Sequence, residues 1–274
     1  MANVLNTDKQ IAIIGALAEG SSIRSIERIT GVHRDTIMRL GVRIGEGCAN
    51  LMDGVMVGLP CTRLEVDEIW GFVGKKERNA TPEDQNEGLG SVWTWCAIDA
   101  DTKLVPAYKV GDRSTKAATE FMQDLAKRMH NRVQLSTDGY SSYLQAVERS
   151  FGQNVDYGRI VKVFGTMEFG ERRYSSEGIL SCEKFVQTGN PNFDLISTSY
   201  VERLNATTRL HMRRMTRLTL AFSKKYENFC AAVGLHFAYY NFVKKHSTLR
   251  CTPAQAAGIA NVKWSVGELL EEIR

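Results

Sequence analysis

The chain has 274 residues, 43% of them apolar, and a formal net charge of +4, which is enough for one catalytic domain and a small accessory module. No run of about 18 apolar residues occurs, so no transmembrane helix is expected. The first eight residues lack the basic and apolar regions of a secretory signal, so a cytoplasmic, nucleoid-associated protein is expected. None of the six cysteines pair as C-x-x-C, which argues against a zinc ribbon.

Residues 8 to 45 read as three short helices. Ile11, Ile14 and Leu17 mark one face of the first, which Gly20 ends. Ile23, Ile26 and Ile29 recur every three residues in the second. Gly31 supplies a tight turn, and a third helix begins near His33 with Ile37 and Leu40 inward. Two helices joined by a glycine turn, the second rich in Arg and Thr, match the pattern of a helix-turn-helix. Arg34, Thr36, Arg39 and Arg43 would then face DNA in the major groove. A plain three-helix bundle gives the same pattern. Residues 46 to 60 contain Gly47, Gly54, Gly58 and Pro60 and read as a link.

From Thr62 the pattern changes to strands. Leu64, Val66 and then Ile69 flank Glu65, Asp67 and Glu68, so acids sit inside a strand. Residues 75 to 90 read as a loop. Val92–Asp99 and Lys103–Val110 read as two further strands of an antiparallel meander. Ser114–His130 is an amphipathic helix by the spacing of Ala118, Phe121, Met122, Leu125 and Met129. A short strand over 132–137 ends in Asp138-Gly139-Tyr140, a helix is expected over 141–150, and another strand over 156–164. Three antiparallel strands, a helix and a strand ending in Asp give the order of an RNase H-like domain. The expected fold is therefore α/β: an RNase H-like mixed sheet with flanking helices, preceded by a small all-α module. The domains expected are 1–45, a linker over 46–60, a catalytic domain over 61–258 and a tail helix over 259–274.

One long helix is expected over 201–218. On a wheel of about 100° per residue, Val201, Leu204, Thr208, Met212 and Met215 share a face. Glu202, Arg209 and Arg213 share a second face, and one of Ser197, Thr198 and Ser199 is expected to cap the helix. Residues 203–250 hold ten Lys or Arg and one acid, Glu227. Such a segment is either a solvated helix face or a surface for a polyanion. Its candidate contacts are Arg203, Arg213, Arg214, Arg217, Lys224 and Lys225. Asp67, Asp138 and Glu202 stand on three separate elements. If the fold brings them together, they form a hard oxygen site for two Mg²⁺ or Mn²⁺ ions.

The stretch Glu65-Val66-Asp67-Glu68-Ile69-Trp70-Gly71-Phe72-Val73-Gly74 resembles the first catalytic motif of insertion-sequence-one-type DDE transposases. Thr137-Asp138-Gly139-Tyr140 with Tyr143 resembles the second, and Glu202-Arg203-Leu204-Asn205 with Arg209 and His211 resembles the third. Arg217-Leu218-Thr219-Leu220-Ala221-Phe222-Ser223-Lys224 looks like that family's continuation. Tyr240-Asn241-Phe242, His246-x-x-Leu249 and Thr252-Pro253-Ala254 resemble its closing helix and tail. The resemblance implies a metal-binding triad of Asp67, Asp138 and Glu202. It also implies cleavage and joining of transposon ends and a phosphate or terminal-base contact at Arg209. Asn205 is a further candidate DNA contact, and two ends that must meet suggest a homo-oligomer on DNA.

The spacing between Asp138 and Glu202 is long for the family. Residues 165–196 read as an inserted loop or hairpin, and Glu168, Glu177 and Glu183 compete for the third acid. The helix-turn-helix stands where the family carries a zinc-bearing N-terminus. Glu65 reads as a surface or supporting group, with metal assistance as the alternative, and Glu68 as structural. Trp70, Trp93 and Trp95 read as core, and His211 as a packed, hydrogen-bonded histidine. His246, Lys224 and Lys225 are either phosphate contacts or solvated. Two other functions fit the sequence: an RNase H-like nuclease or resolvase that cuts without joining, and a DNA-binding regulator derived from a transposase.

Overall fold

The structure, a computed structural model, describes residues 5–165 and 179–274. Helix α1 is Thr7–Ala18, started by the Asn6 side chain accepting from the Lys9 amide. Helix α2 is Ile23–Thr30, capped by Ser22 and stopped by Gly31 in the left-handed region at φ 68°. Ile26 is buried, whereas Ile29, which shares its spacing, is 78% exposed.

Helix α3 runs Arg34–Val55, straight through most of the expected linker. Gly45 serves packing, not chain reversal. A Cβ on Gly45 would lie 2.0 Å from the Ala231 carbonyl oxygen, and one on Gly234 would lie 2.5 Å from the Gly45 carbonyl oxygen. Here α3 and α8 (Tyr226–Ala238) approach backbone to backbone. The burial of Ile37, Leu40, Ile44, Cys48 and Met52 outweighs the weak helix propensity of glycine, about 1 kcal/mol per residue.

The sheet follows. Strand β1 is Arg63–Val73, and a short helix α4 (Pro82–Asn86) precedes β2 (Gly90–Asp99). Strand β3 is only Tyr108–Gly111, because Lys103 takes a positive φ of 60° and residues 104–107 loop back to hydrogen-bond Asp99 and Ala97. Helix α5 is Thr115–Arg128, β4 is Val133–Thr137, α6 is Ser142–Phe151 and β5 is Val155–Phe164. Part of the expected insertion, Ile179–Thr188, forms β6 and pairs antiparallel with β5. Helix α7 is Ser199–His211, and the chain closes with α9 (Pro253–Ala256) and α10 (Val266–Glu272). The six strands lie in the order β3-β2-β1-β4-β5-β6, with β1·β4 and β4·β5 parallel and the other pairs antiparallel.

Side-chain alternation assigns the two faces of the sheet. Leu64, Val66 and Glu68 point to the layer of α5 and α6, where Trp95 meets Phe121 and the edge of Tyr143. Glu65, Asp67 and Gly71 point to the layer of α7 and α8, where a Cβ at Gly71 would touch the Phe229 ring. One core joins Ile13 and Ile37 of the N-terminal helices to Phe121, Phe229 and Leu269. Among the described residues no helix is long and apolar enough to cross a membrane.

Helix α7 stops at His211 instead of reaching Leu218. Val201, Leu204, Thr208, Met212 and Met215 are all buried as their spacing implies. The last two reach the core because Met212 turns extended and 213–215 form a tight turn, held by the Arg209 guanidinium on the Met215 carbonyl. Arg213 therefore does not continue the Glu202–Arg209 face.

Candidate active site

Three elements carry the acids toward one face of the sheet. Asp67 lies in mid-β1. Val66 is the register partner of Thr137, so Asp138, one residue past the end of β4, stands beside Asp67. Both belong to the face covered by α7, whose first turn carries Glu202. What holds α7 there is Glu65: its Oε2 accepts from the amides of Tyr200 and Val201 at 2.7 and 3.0 Å. A carboxylate on the free N–H groups and positive dipole end of a helix is a favourable pairing. The nearby serine and threonine side chains do not cap the helix: Ser197 accepts from the Ser199 amide, and Thr198 donates to Glu202 Oε1 at 2.6 Å. Burial raises the Glu65 pKa, and the two helix amides pull against that rise.

Asp67 is fixed on both oxygens, Oδ1 accepting from the Glu68 amide at 2.9 Å and Oδ2 from Asn205 Nδ2 at 2.8 Å. Its pKa is pushed up to about 7, first by burial and then by the charges of Glu68, Asp138 and Glu202. Asp138 Oδ1 accepts from the Tyr140 amide at 2.9 Å. Glu202 is also held by the Lys162 ammonium from β5. Behind the sheet, Glu68 is bound by Arg113 at 2.6 Å and by the Tyr143 hydroxyl at 2.6 Å. The Arg113 guanidinium is stacked between the Trp93 and Tyr140 rings. Burial raises Glu68, and its two partners act against the rise.

The donor chemistry suits a divalent cation. Asp67 and Asp138 offer carboxylate oxygens side by side, and excess negative charge there adds to burial in lifting Asp67. Among the described residues no three His, Cys, Asp or Glu groups close tightly around one point. Glu202 is the open member, engaged by Lys162 and Thr198 within electrostatic range of Asp67. Of the competing acids, Glu183 is exposed on β6, while Glu168 and Glu177 lie outside the described residues.

Several cations stand on α7 and on the segment that follows it. Arg209 is half-buried and lowered by burial and by Arg217, with Asp67 pulling the other way. Arg214 donates to Ser223 Oγ at 2.6 Å and is lowered by burial alone. Arg203, Arg213, Arg217, Lys224 and Lys225 are exposed, and Lys225 lies 3.8 Å from Glu227. Asn205 faces Asp67 and the Cys96 thiol, so it positions the aspartate from inside the fold. Arg34, Thr36, Arg39 and Arg43 are exposed on the first turns of α3, with Arg43 3.2 Å from Gln10 Oε1. His211 bonds Lys244 Nζ at 2.7 Å and lies 3.3 Å from Glu19, tying α7 to α1. His246 hydrogen-bonds Thr248. Trp95 is core, whereas Trp70 and Trp93 are half-buried.

Sequence reasoning passes over Lys162 and Arg159. Arg159 donates to the Gly139 carbonyl beside Asp138, and its Nε is buried with no partner among the described residues. Both are cations in mid-strand, the same signal that singles out Asp67. Neither stands in a motif block.

The architecture and the acid-bearing face define an α/β chain of the RNase H-like type. No family model matches it. Over 182 residues the chain is 25% identical to the insertion element iso-IS1n protein InsB of Shigella dysenteriae, covering 66% of this chain and 94% of that protein. Among solved structures, piggyBac transposase in a cryo-EM synaptic complex with hairpin DNA superposes with a TM-score of 0.51 at 10% identity. That superposition covers 100% of this chain and 72% of the other. The fold is thus shared with a transposase, and the resemblance to insertion-sequence-one-type proteins extends well beyond the motif blocks.

Proposed function

We propose that this chain is a transposase that cleaves the ends of a mobile DNA element and joins them to target DNA. The observation that carries the reading is the neighbouring pair Asp67 and Asp138 with Glu202 in electrostatic range, together with the Arg209 and Arg214 guanidinium groups, which have no ion-pair partner among the described residues.

Asp67, Asp138 and Glu202 are the residues that would hold two divalent ions. Bound there, the ions would supply an activated water or 3′-hydroxyl and stabilise the leaving oxygen. Asn205 and the Glu68 amide fix the direction of the Asp67 carboxylate, and Glu65 anchors the helix that carries Glu202. Arg209, which is in electrostatic range of Asp67, and Arg217 beside it would neutralise the charge of a phosphodiester. Exposed cations from Arg203 to Lys225 spread affinity along the DNA backbone, and α3 offers Arg34, Thr36, Arg39 and Arg43 to a groove. Residues 1–45 serve as the DNA-binding module and 61–258 as the catalytic domain, with α3 joining the two. Two ends must meet, so a homo-oligomer assembles on DNA.

The test is incubation with Mg²⁺ or Mn²⁺ and duplexes carrying the sequences that flank the gene, using the parent and Asp67→Ala, Asp138→Ala and Glu202→Ala. Metal-dependent nicking at the ends and joining of a pre-cut 3′ end, lost in all three variants while binding persists, is expected. Cutting without joining would make the chain a nuclease. Binding without cutting by the parent would make it a regulator.

A further inference from the structure

The segment 212–225 combines two surface features that rarely occur together. Leu218 is 71% exposed and Leu220 is 99% exposed, with Leu210 on α7 77% exposed. Around them stand the exposed cations Arg213, Arg217, Lys224 and Lys225. The segment is pinned at several points. Ser223 bridges Val73, and its carbonyl accepts from the Gly74 amide at 2.7 Å. Arg214 holds Ser223 Oγ, Phe222 packs on Phe72 at 5.1 Å, and Lys76 Nζ donates to the Arg217 carbonyl at 3.1 Å. The Thr219 hydroxyl accepts from the Ala221 amide at 2.9 Å, which tightens the backbone at Leu220. The result is a braced tip whose foremost atoms are a whole leucine side chain.

A protein partner for that tip would have to be acidic around an apolar pocket. Double-stranded DNA meets both requirements at once, with phosphates outside and apolar base faces inside a step that can be opened. Apolar side chains flanked by cations are known to enter base steps and kink the duplex. The Arg209 guanidinium donates to the Met215 carbonyl, which ties the base of this segment to α7, the helix that carries Glu202.

We propose that Leu220, supported by Leu218, is a wedge that enters the base stack of the DNA end beside the phosphate to be cut. The proposal rests on the reading of the chain as a DNA-processing enzyme. It assigns the basic segment a second role, that of distorting the duplex.

The experiment uses the full chain and duplexes carrying the flanking sequence, with 2-aminopurine scanned through positions near the end. Unstacking raises 2-aminopurine fluorescence, so the parent is expected to give a several-fold rise at one or two positions. It is also expected to bind about tenfold tighter to a duplex with a mismatch there, where unstacking is already done. Leu220→Ala should lose both effects while keeping the parent's melting temperature and salt dependence of binding. A fluorescence rise that Leu220→Ala retains, or no rise on DNA that the parent binds and cuts, would overturn the wedge and leave the enzyme reading intact. Failure of the parent to bind DNA at all would overturn both. If Leu220→Ser converts a DNA-free dimer to a monomer in sedimentation, the tip is a contact between copies of the chain and the wedge is refuted.

Discussion

Replacing Asp67 by asparagine should make the metal-free protein more stable, and increasingly so as pH rises. Folding lifts the Asp67 carboxyl from an ordinary 3.8 to about 7 through burial and three neighbouring carboxylates. Because the folded value lies above the unfolded one, the protonated form is the one the fold favours. That favour is complete below about pH 4 and is lost as pH rises through the folded value. The linkage relation puts the cost of the charged group at about 2 kcal/mol at pH 5 and about 4 kcal/mol at pH 8. In Asp67→Asn the new side-chain oxygen would still accept from the Glu68 amide, but its NH₂ would face Asn205 Nδ2, which subtracts about 1 kcal/mol unless Asn205 turns over. The net gain is then about 1 kcal/mol at pH 5 and about 3 kcal/mol at pH 8, or roughly 5–10 °C in melting temperature at the higher pH. Paired thermal scans in chelator at the two pH values measure it. Added Mg²⁺ should stabilise the parent and not the variant, since only a state that binds ligand gains from it. A variant less stable than the parent at pH 8, or a difference that does not grow between pH 5 and pH 8, would refute the reasoning.

Further outcomes follow from the same geometry. Lys162→Met frees Glu202 from its cation and should tighten Mn²⁺ binding in calorimetry by up to about fivefold, the scale of a partly exposed ion pair. Glu65→Ala leaves the Tyr200 and Val201 amides without their acceptor and should cost about 1–3 kcal/mol in denaturant unfolding, with faster amide exchange in the first turn of α7. Gly45→Ala forces a methyl into the Ala231 carbonyl and should destabilise by at least about 1–3 kcal/mol, or prevent folding, as circular dichroism would show. Arg39→Ala and Arg43→Ala should each lower the salt slope of DNA binding by about 1 if these side chains contact phosphates.

Much of the sheet is legible in the sequence because its strands are rich in β-branched and aromatic residues between turn signals and its helices carry regular apolar spacing. Ala118, Phe121, Met122 and Leu125 mark α5, and all four are buried. The differences have local causes. Gly47 and Gly54 suggest a linker, yet Gly45, Gly47 and Gly234 mark where α3 packs against α8 and the C-terminal residues. A close helix crossing and a loop use the same residue. The spacing from Val201 to Met215 identifies the buried set but not the break in the helix, because a tight turn at 213–215 buries the same methionines. At the site, Asp67, Asp138 and Glu202 stand out through motif context. The roles of Glu65 as the α7 cap and Asn205 as the Asp67 partner depend on pairings 135 to 138 residues apart, which no local pattern encodes.

The central claim is that carboxylates from β1, the end of β4 and the first turn of α7 share one metal site. Iron-directed backbone cleavage tests it most directly: Fe²⁺ and ascorbate are added to the DNA-bound protein, and the fragments are mapped by mass spectrometry. Cuts are expected to cluster near residues 67, 138 and 202, all suppressed by excess Mg²⁺ and all lost together in Asp138→Asn. Cuts near 67 and 138 with none near 202, or cuts in 166–178 in its place, would show that the third ligand is not Glu202 and would contradict the site described above.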